Sequence, residues 1–374
     1  MKLRSALAVI SALVLCVPAQ AQTYDQFKAW CYDDAPNLHK VEGCNAMIAA
    51  DREGPEGLAL AYYKRGNGYS EKGWHHQAII DYDRAIEVKP DYVAAYHNRA
   101  NQYQALGQYD RAIADYDRAI DIWPEFAFGL VHRGSTYSDL GNYERAFKDF
   151  DRAILLRPDN AEAYYERGNT FHKVHQYQRA IQDLSKAILL RHDYAEAFDR
   201  RGVAYKNLEQ YDRAIEDYDA AILLKPNWAV FYYNRGRARS FKDQFDLAIR
   251  DFDAALRIAP DSDFFTERGR CYYFLNKFHE AIADYDAALR LKPKGANVLF
   301  NRATALVKLQ EYDAAIGDYD AALSAMPKSA ISLFGRGVAK RARGDVTAGD
   351  ADIAAAKAIA PDVATQMATL SIKP

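Results

Sequence analysis

Residues 93–126 read VAAYHNRANQYQALGQYDRAIADYDRAIDIWPEF, and this pattern returns along most of the chain. Its proline recurs every 34 residues, with a double step across His192 and one step of 33. An Arg-Gly or Arg-Ala pair and an Asp-aromatic-Asp triplet keep phase with the prolines. A fixed period of this length indicates a protein built from one repeated supersecondary unit. Nine repeats cover residues 59–363, with these bounds: 59–92, 93–126, 127–160, 161–194, 195–228, 229–261, 262–295, 296–329 and 330–363.

The apolar spacing inside a repeat is helical in two segments. In repeat four, Tyr164, Gly168 and Phe171 lie four and three residues apart on one helix face, and the second half repeats this spacing. A break at residues 174–176 separates the halves, and other repeats have glycine there. Proline or its neighbour ends the second helix, because proline cannot donate an N–H. Each repeat is therefore predicted to be a helix, a short turn and a second helix.

Small residues recur where the two helices of a repeat should approach most closely. In repeat one these are Gly66, Ala78 and Ala85, with aromatic residues such as Tyr69 and Tyr82 between them. Because a single helical pair cannot bury both of its faces, neighbouring repeats must stack. The third small position is alanine in all nine repeats: Ala85, Ala119, Ala153, Ala187, Ala221, Ala255, Ala288, Ala322 and Ala356.

This pattern resembles the tetratricopeptide repeat (TPR) family. In repeat two, the resemblance is carried by Tyr96, Arg99, Ala100, Tyr103, Gly107, Tyr109, Ala112, Tyr116, Ala119 and Pro124. It implies an all-α fold, a right-handed α-solenoid of antiparallel helix pairs with a concave inner groove, here with N-terminal capping helices. The family mostly binds peptides or proteins, so the resemblance implies a protein or peptide partner and no enzyme activity. Nothing in the sequence indicates a cofactor.

The resemblance also implies where a partner would bind. In the family, the second, fifth, ninth, twelfth and thirteenth residues of each repeat line the groove. Aromatic residues among polar groups are typical of binding surfaces, although half-buried helix faces would use the same tyrosines. Members that bind a chaperone's C-terminal carboxylate have Lys at the fifth position with Asn at the ninth, and here His97 and Tyr165 replace that Lys. The candidate partner-binding residues are Tyr63, His97, Asn101, Tyr165, Asn169, Asp199, Tyr233, Arg237, Arg270 and Phe300.

The ends of the array and two repeats depart from the pattern. Repeat four has Leu184-Ser185 in place of an aromatic residue and Asp, and repeat nine is degraded, as suits a terminal repeat whose outer face must be polar. Residues 22–58 form an N-terminal capping segment with helices predicted at 24–32 and 41–51. The second of these helices should pack on repeat one. Residues 364–374 are a tail with at most a short closing helix.

Residues 1–21 have the order of a secretory signal peptide. Lys2 and Arg4 precede a short apolar run, and residues 19–21 (Ala-Gln-Ala) provide a cleavage site. The run is too short to span a bilayer, which takes roughly 20 apolar residues. Cleavage after Ala21 would place the mature chain in the periplasm or outside the cell, although a signal alone does not name the compartment.

An exported chain can form disulfides. Cys31 and Cys44 lie close together outside the repeats and are expected to pair, which contributes on the order of 3 kcal/mol in the chain-entropy model. A catalytic Cys31 with His39 as its base is the alternative, but nothing nearby indicates a third member or an oxyanion site. Cys271 falls on a repeat helix and is predicted to be a buried free thiol.

Every repeat has an Arg in its first helix and an Asp sixteen residues later, from Arg65 with Asp81 to Arg336 with Asp352. One interpretation is an ion-pair ladder that ties the helices together. The others are a charged stripe that contacts a partner, and unpaired solvated charge. Exposed pairs are worth only about 0–1 kcal/mol each, so a ladder would fix register more than stability.

Composition and motifs restrict the function. The chain has 49 basic and 51 acidic residues, a net charge of -2 that argues against a nucleic-acid binder. After the signal, no segment is apolar and long enough to cross a membrane. Motifs for phosphate, dinucleotide or zinc-protease chemistry are absent, and the histidines do not converge as metal ligands do.

We therefore expect a non-catalytic protein-interaction scaffold with no catalytic residues and no metal. A structural subunit of a cell-envelope assembly, such as a polysaccharide or outer-membrane machine, is the alternative. The sequence leaves self-association open.

Overall fold

The computed structural model describes residues 23–32 and 37–373, which form helices and, within these ranges, no strand. The predicted signal peptide lies outside the described residues. Helices α3 to α20 alternate as the first and second helix of repeats one to nine, so the predicted all-α repeat fold is confirmed. The helices are α1 (Tyr24–Tyr32), α2 (Asn37–Ala50), α3 (Gly54–Glu71), α4 (His75–Val88), α5 (Val93–Ala105), α6 (Tyr109–Ile122), α7 (Ala127–Asp139), α8 (Tyr143–Leu156), α9 (Ala161–Lys173), α10 (Tyr177–Leu190), α11 (Ala195–Asn207), α12 (Tyr211–Leu224), α13 (Ala229–Ser240), α14 (Phe245–Ile258), α15 (Ser262–Phe274), α16 (Phe278–Leu291), α17 (Ala296–Lys308), α18 (Tyr312–Ala325), α19 (Ala330–Arg343), α20 (Val346–Ile359) and α21 (Val363–Thr369).

The chain divides into two compact bodies. The N-terminal body ends at Leu156 and contains α1 to α8, and the C-terminal body begins at Arg157 and contains α9 to α21. Within each body, the two helices of a repeat pack together, and the second helix packs on the first helix of the next repeat. Each body is therefore an α-solenoid stack in which a repeat depends on its neighbours.

A residue with a left-handed backbone reverses the chain between the two helices of each repeat. Repeat two uses Gly107 (φ 70°), whose amide donates to the Gln104 carbonyl, while the amide of Gln108 donates to that of Tyr103. These bonds satisfy carbonyls that the end of α5 leaves without helical partners. Five repeats place a residue with a side chain at this position, as repeat four does with His175 (φ 59°). For such a residue the left-handed conformation costs roughly 1–2 kcal/mol.

The two helices of a repeat meet where a large side chain lies directly on a glycine. A methyl group added at Gly202 would lie 2.7 Å from the ring of Tyr218, and one at Gly236 would lie 2.8 Å from the ring of Phe252. A larger residue there would push the ring out of its site, because protein interiors are close-packed. The alanine that recurs in the second helix has no exposed surface in any of the nine repeats.

The Arg and Asp of fixed phase form the predicted ladder. In repeat eight, Arg302 donates from Nε and Nη2 to the two carboxylate oxygens of Asp318 at 2.7 and 2.6 Å. Its Nη1 donates at 2.6 Å to Asp286, which belongs to the second helix of repeat seven. One guanidinium thus joins both helices of its own repeat to the repeat before it. The paired residues are Arg65–Asp81, Arg99–Asp115, Arg133–Asp149, Arg167–Asp183, Arg201–Asp217, Arg235–Asp251, Arg268–Asp284, Arg302–Asp318 and Arg336–Asp352.

The capping segment at the N-terminus is fastened by a disulfide. The sulfur atoms of Cys31 in α1 and Cys44 in α2 are 2.06 Å apart and both residues are fully buried, which confirms the predicted pair. A sulfur in a disulfide is not a free nucleophile, so the catalytic alternative for Cys31 is wrong. Helix α2 packs on α3, which begins at Gly54, five residues before the first repeat as the period defines it.

The ladder predicts that removing either of two neighbouring carboxylates will lower the free energy of unfolding by different amounts. Asp217 is buried against Arg201, whereas Asp219 is half exposed and bonds Arg235, which keeps a second carboxylate. Asp217→Ala should lower the free energy of unfolding by about 3 kcal/mol, because Arg201 loses the carboxylate that compensates its burial. Asp219→Ala should cost less than about 1 kcal/mol. Urea unfolding followed by circular dichroism measures both, and equal losses would contradict the ladder as described.

Candidate functional site

The first helices of the repeats line one surface in each body. Helix α3 contacts α5 and α5 contacts α7, and each first helix from α9 to α17 contacts the next first helix. Among the described residues, no second helix contacts another second helix. The first helices therefore form the inner side of the curvature within each body. We call this surface the first-helix face. The second, fifth, ninth, twelfth and thirteenth residues of each repeat, which are predicted to line a groove, belong to these helices or directly follow them.

In the N-terminal body, the predicted residues Tyr63, His97 and Asn101 are half-buried and engaged by their neighbours. The hydroxyl of Tyr63 accepts a hydrogen bond from Asn98 at 3.1 Å. The ring of His97 lies 5.2 Å from that of Phe126, measured between centroids. The side-chain oxygen of Asn101 accepts from the Tyr116 hydroxyl at 2.5 Å. The contact of Tyr63 joins repeats one and two, whereas those of His97 and Asn101 lie within repeat two, and all three side chains offer a partner only part of their surface.

In the C-terminal body, the predicted residues have different environments. Tyr165 and Tyr233 are half-buried. The ring of Tyr165 lies 4.8 Å from that of Tyr194, the last residue of its own repeat, and the ring of Tyr233 lies 4.8 Å from that of Phe264 in the next repeat. Arg237 is half-buried and Arg270 is exposed, whereas Phe300 is buried. The face therefore offers charged groups in repeats six and seven and a covered aromatic residue in repeat eight.

The C-terminal helix α21 covers the first-helix face at repeats seven to nine. Its Val363 and Met367 are fully buried in one cluster with Phe300 and Phe334, which occupy fifth positions of repeats eight and nine. The hydroxyl of Tyr273 donates to the carbonyl of Leu370 at 2.6 Å, just beyond the end of α21.

The ammonium group of Lys308 donates to the carbonyl of Ser371, also at 2.6 Å. Carbonyls at a helix C-terminus need such donors, and a cation there also complements the helix dipole. The predicted closing helix is thus present as α21. Sequence reasoning did not predict that this helix lies on the face expected to bind a partner. The apolar spacing of Val363, Met367 and Leu370, which is typical of one helix face, is the signal that could have indicated it.

A cleft opens between α13 and α15, with a volume of about 220 Å³. Arg237 and Arg270, the ninth residues of repeats six and seven, line it together with Phe241, Phe274 and Glu267. Arg270 donates to Glu267 at 3.0 Å, and the guanidinium of Arg237 lies 5.7 Å from the ring centroid of Tyr233. The predicted residues Tyr233, Arg237 and Arg270 are thus brought together here.

Residues 23–32 and 37–373 show neither a cluster of metal-ligating side chains nor a membrane-spanning helix. These residues contain no group of three or more His, Cys, Asp or Glu side chains placed to hold a metal ion. His172 forms a hydrogen bond with the side chain of Asn207 at 2.9 Å. None of the described helices has the length and apolar character needed to cross a membrane.

Family models for the tetratricopeptide repeat match nearly every repeat. The matched residues are 59–92, 91–156, 161–194, 195–227, 229–262, 269–310 and 300–364. The chain belongs to the tetratricopeptide repeat family. The TPR fold is typically a non-catalytic scaffold that binds protein or peptide partners.

Solved structures agree on the fold. A tetratricopeptide repeat protein from Parabacteroides merdae ATCC 43184 is 22% identical with a TM-score of 0.53, over 64% of this chain and 94% of that one. A monomeric mutant of IFIT1, solved with Gppp-AAAA, is 15% identical with a TM-score of 0.55, over 86% of this chain and 77% of that one. Both likenesses show the fold alone. MamA is 31% identical with a TM-score of 0.39, over 42% of this chain and 93% of that one. A search of the curated proteins finds no match.

The first two TPR repeats share a hydrogen bond that sequence reasoning missed. The ninth residue accepts from a tyrosine hydroxyl fifteen residues later: Asn67 from Tyr82 at 2.8 Å, and Asn101 from Tyr116 at 2.5 Å. The spacing of Asn and Tyr in the first two repeats is a signal that could have indicated this bond.

Repeats four and five each keep only half of this pair. In repeat four, Leu184 stands fifteen residues after Asn169, where the tyrosine would be. In repeat five, Val203 stands fifteen residues before Tyr218, where the asparagine would be. The side-chain oxygen of Asn169 and the hydroxyl of Tyr218 consequently have no hydrogen-bond partner among the described residues. Asn169, a predicted binding residue, thus keeps a buried acceptor unused, at a cost in stability.

The predicted residue Asp199 is buried beneath the first-helix face. Asn234 of the next repeat donates to its carboxylate at 2.7 Å. Burial raises the pKa of Asp199 to about 6, although the bond from Asn234 and the charges of Arg200 and Lys206 act in the opposite direction. An ionised carboxylate is costly in this environment. Asp199 therefore contributes more to the packing of repeats five and six than to a surface that a partner can contact.

Restoring the missing hydroxyl in repeat four should stabilise the protein. Leu184→Tyr places a phenol where Tyr82 and Tyr116 stand in other repeats, within reach of Asn169. The free energy of unfolding should exceed that of the matched variant Leu184→Phe by about 1 kcal/mol, because only the hydroxyl differs. Chemical denaturation of the two variants measures this difference. A tyrosine variant no more stable than the phenylalanine variant would show that Asn169 is satisfied in another way.

Asp199 predicts a pH dependence of stability. The pKa of Asp199 is raised to about 6 in the folded chain, whereas an unfolded chain releases this proton near pH 3.9. The folded state then binds more protons than the unfolded state between about pH 4 and pH 6, so this group lowers stability as the pH rises through that window. Asp199→Asn keeps the acceptor for Asn234 and removes the charge.

The variant should therefore match the parent chain near pH 4 and exceed its unfolding free energy on the order of 2 kcal/mol above about pH 6. Denaturation curves across this range test the effect, with the exposed Asp246→Asn as control. A difference that does not change with pH would contradict the assignment.

Proposed function

We propose that this chain is a non-catalytic protein-interaction scaffold that binds a protein or peptide segment on the first-helix face of its C-terminal body, between α9 and α15. The observation that carries this proposal is α21. This helix lies on the same face and is held there by apolar contacts and by donors from Tyr273 and Lys308. A face that binds a short helix of its own chain has the chemistry to bind a similar segment from another protein.

The part of the face before α21 carries suitable contact groups. Tyr165 and Tyr233 present half-buried rings, and Phe274 is 40% exposed beside the cleft. Rigid aromatic side chains and arginine dominate the binding energy of many interfaces. The same stretch contains Arg237 and Arg270, so apolar and charged contacts are available together.

The proposal includes export to the periplasm or the exterior. The signal-like order of residues 1–21 and the disulfide between Cys31 and Cys44 support it, because disulfides persist in oxidising compartments. Mass spectrometry of the mature protein should find Gln22 as its first residue if the predicted cleavage occurs.

Site-specific photo-crosslinking in cells tests the binding face. p-Benzoylphenylalanine is placed at position 165 or 233 on first helices, and at position 189 or 223 on second helices as the control. Leu189 and Leu223 are 61% and 83% exposed, so simple accessibility favours the controls. We expect discrete adducts from positions 165 and 233 and none from 189 and 223. Adducts mainly from the control positions would contradict the proposed face.

A further inference from the structure

Five second helices of the C-terminal body end along one edge of the stack. Each of these helices packs on the first helix of the next repeat, and because the repeats stack in one orientation, equivalent positions recur along the same edge. The helices are α10, α12, α14, α16 and α18, which end at Leu190, Leu224, Ile258, Leu291 and Ala325. These helix ends and the loops that follow them form what we call the inter-repeat edge: residues 189–194, 223–228, 257–261, 290–295 and 324–329.

Large apolar side chains are exposed at every one of these five helix ends. Single exposed apolar side chains are ordinary on a protein surface, but their return along one edge in five successive repeats is not. Leu223 leaves 83% of its surface exposed, so the packing of the repeats does not account for it. The exposed residues are Leu189, Leu223, Ile258, Leu291, Met326 and, in the loop after α12, Trp228.

The inter-repeat edge is also basic. It contains seven Lys or Arg residues and two acids, Asp193 and Asp261. Arg257 and Arg290 are exposed, and neither forms an ion pair within the described part of the chain. The edge therefore has an excess of positive charge, although the whole chain has a net charge of -2.

Acids next to the edge do not remove this excess. Lys225 donates to Glu196, and Lys292 donates to Asp263 at 3.2 Å, so two carboxylates of neighbouring first helices are already paired with edge cations. Even when these two acids are added to the two within the edge, the seven cations outnumber them. The remaining cations are available to an external anionic group.

The fold does not require this charge. A cation at a helix C-terminus complements the helix dipole, yet the equivalent segments of the N-terminal body, 87–92 and 121–126, have one Lys and four acids. In the C-terminal body, the turns at the opposite edge have four Lys and three acids, so they show little excess. Those turns are residues 173–177, 207–211, 241–245, 274–278 and 308–312. The positive charge is concentrated on the edge that also exposes the apolar side chains.

Cations and aromatic rings lie close together on this edge. The ammonium group of Lys225 lies 4.7 Å from the ring centroid of Trp228, and the guanidinium of Arg191 lies 4.2 Å from that of Tyr194. Tryptophan, leucine and basic side chains on one surface are typical of proteins that bind an anionic bilayer. The apolar groups enter the headgroup region, while the long basic side chains keep their charges at the lipid phosphates.

We propose that the inter-repeat edge of the C-terminal body binds the surface of a bilayer that contains anionic phospholipids. Leucine and tryptophan side chains enter the headgroup region, and Lys and Arg contact the phosphates. A bilayer is favoured over a protein partner because the apolar side chains project from five separate helix ends, whereas a protein interface needs anchors and pockets of matching shape. The inference goes beyond the proposed function, since different residues form this edge and the first-helix face.

Flotation with lipid vesicles tests the surface. The chain is produced from Gln22 onward, which keeps every described residue and omits an apolar run that would itself bind lipid. It should bind vesicles of phosphatidylcholine and phosphatidylglycerol at least about tenfold more tightly than vesicles of phosphatidylcholine alone, and more weakly as salt is raised. No binding to the mixed vesicles, or equal binding to both kinds, would overturn the proposal.

A matched pair of double variants locates the apolar contacts. Leu189→Gln with Leu223→Gln should weaken binding to the mixed vesicles about tenfold or more, because two apolar side chains no longer enter the headgroup region. Leu247→Gln with Val346→Gln removes two exposed apolar side chains from the opposite edge and should change binding less than about twofold. Equal losses would show that the inter-repeat edge is not the surface that binds.

A second matched pair separates the edge from overall charge. Arg257→Gln with Arg290→Gln should weaken binding to the mixed vesicles about tenfold or more, since two cations near the phosphates are lost. Arg250→Gln with Lys277→Gln removes the same charge from exposed positions away from the edge and should change binding less than about twofold. If both variants lose affinity equally, only net charge matters and the edge is wrongly assigned.

Two further measurements keep the test decisive. The Leu189→Gln, Leu223→Gln variant should unfold at the same urea concentration as the parent chain, because both side chains are exposed. A clear loss of stability would show that the fold itself uses these leucines. A crosslink to lipid does not add the mass of a protein, so positions 189 and 223 should still give no discrete protein adduct in the crosslinking experiment.

The crosslinking experiment also separates this inference from the proposed function. Discrete protein adducts at positions 189 and 223, without vesicle binding, would overturn the bilayer in favour of a protein partner at this edge. Vesicle binding without adducts at positions 165 and 233 would support this inference and contradict only the proposed binding face.

Discussion

The packing of each helical pair on its neighbours is the constraint on which the rest of this structure depends. A large side chain of the second helix covers a small residue of the first, as Tyr218 covers Gly202, and this contact uses one face of the pair. The other face is buried only when the next repeat lies against it, as Phe231 of repeat six lies against Ala221 of repeat five. First helices then line the inner side of each body, and the surface available to a partner follows from that placement.

Charged residues in this chain have two different roles. Arg302 joins two repeats through three hydrogen bonds to carboxylates, so its charge is compensated within the fold. In the candidate site, Arg270 donates to Glu267 three residues earlier on the same helix, and the guanidinium of Arg237 lies beside the ring of Tyr233. The first arrangement ties repeats together, whereas the second places charged groups beside the cleft.

Much of the fold could be predicted because it depends on residues at fixed phase. The buried alanines, the Arg–Asp pairs and the bond between Cys31 and Cys44 follow from spacing along one chain. The candidate site could be predicted only as a set of positions. Phe300 is covered because α21 folds back over its repeat, and Asp199 is buried under Asn234 of the next repeat. Such contacts depend on how segments that are distant in the sequence, or in different repeats, pack against each other. The period of the sequence does not specify that packing.

Hydrogen exchange of Ala221→Phe, followed by mass spectrometry, tests most directly whether each repeat depends on its neighbours. Ala221 is fully buried between repeats five and six, and overpacking there should cost about 1–3 kcal/mol. We expect amide protection to fall most in α11 to α14 and to recover progressively toward α19. Loss of protection confined to α12 alone would mean that helical pairs are self-sufficient, and that result would contradict the account.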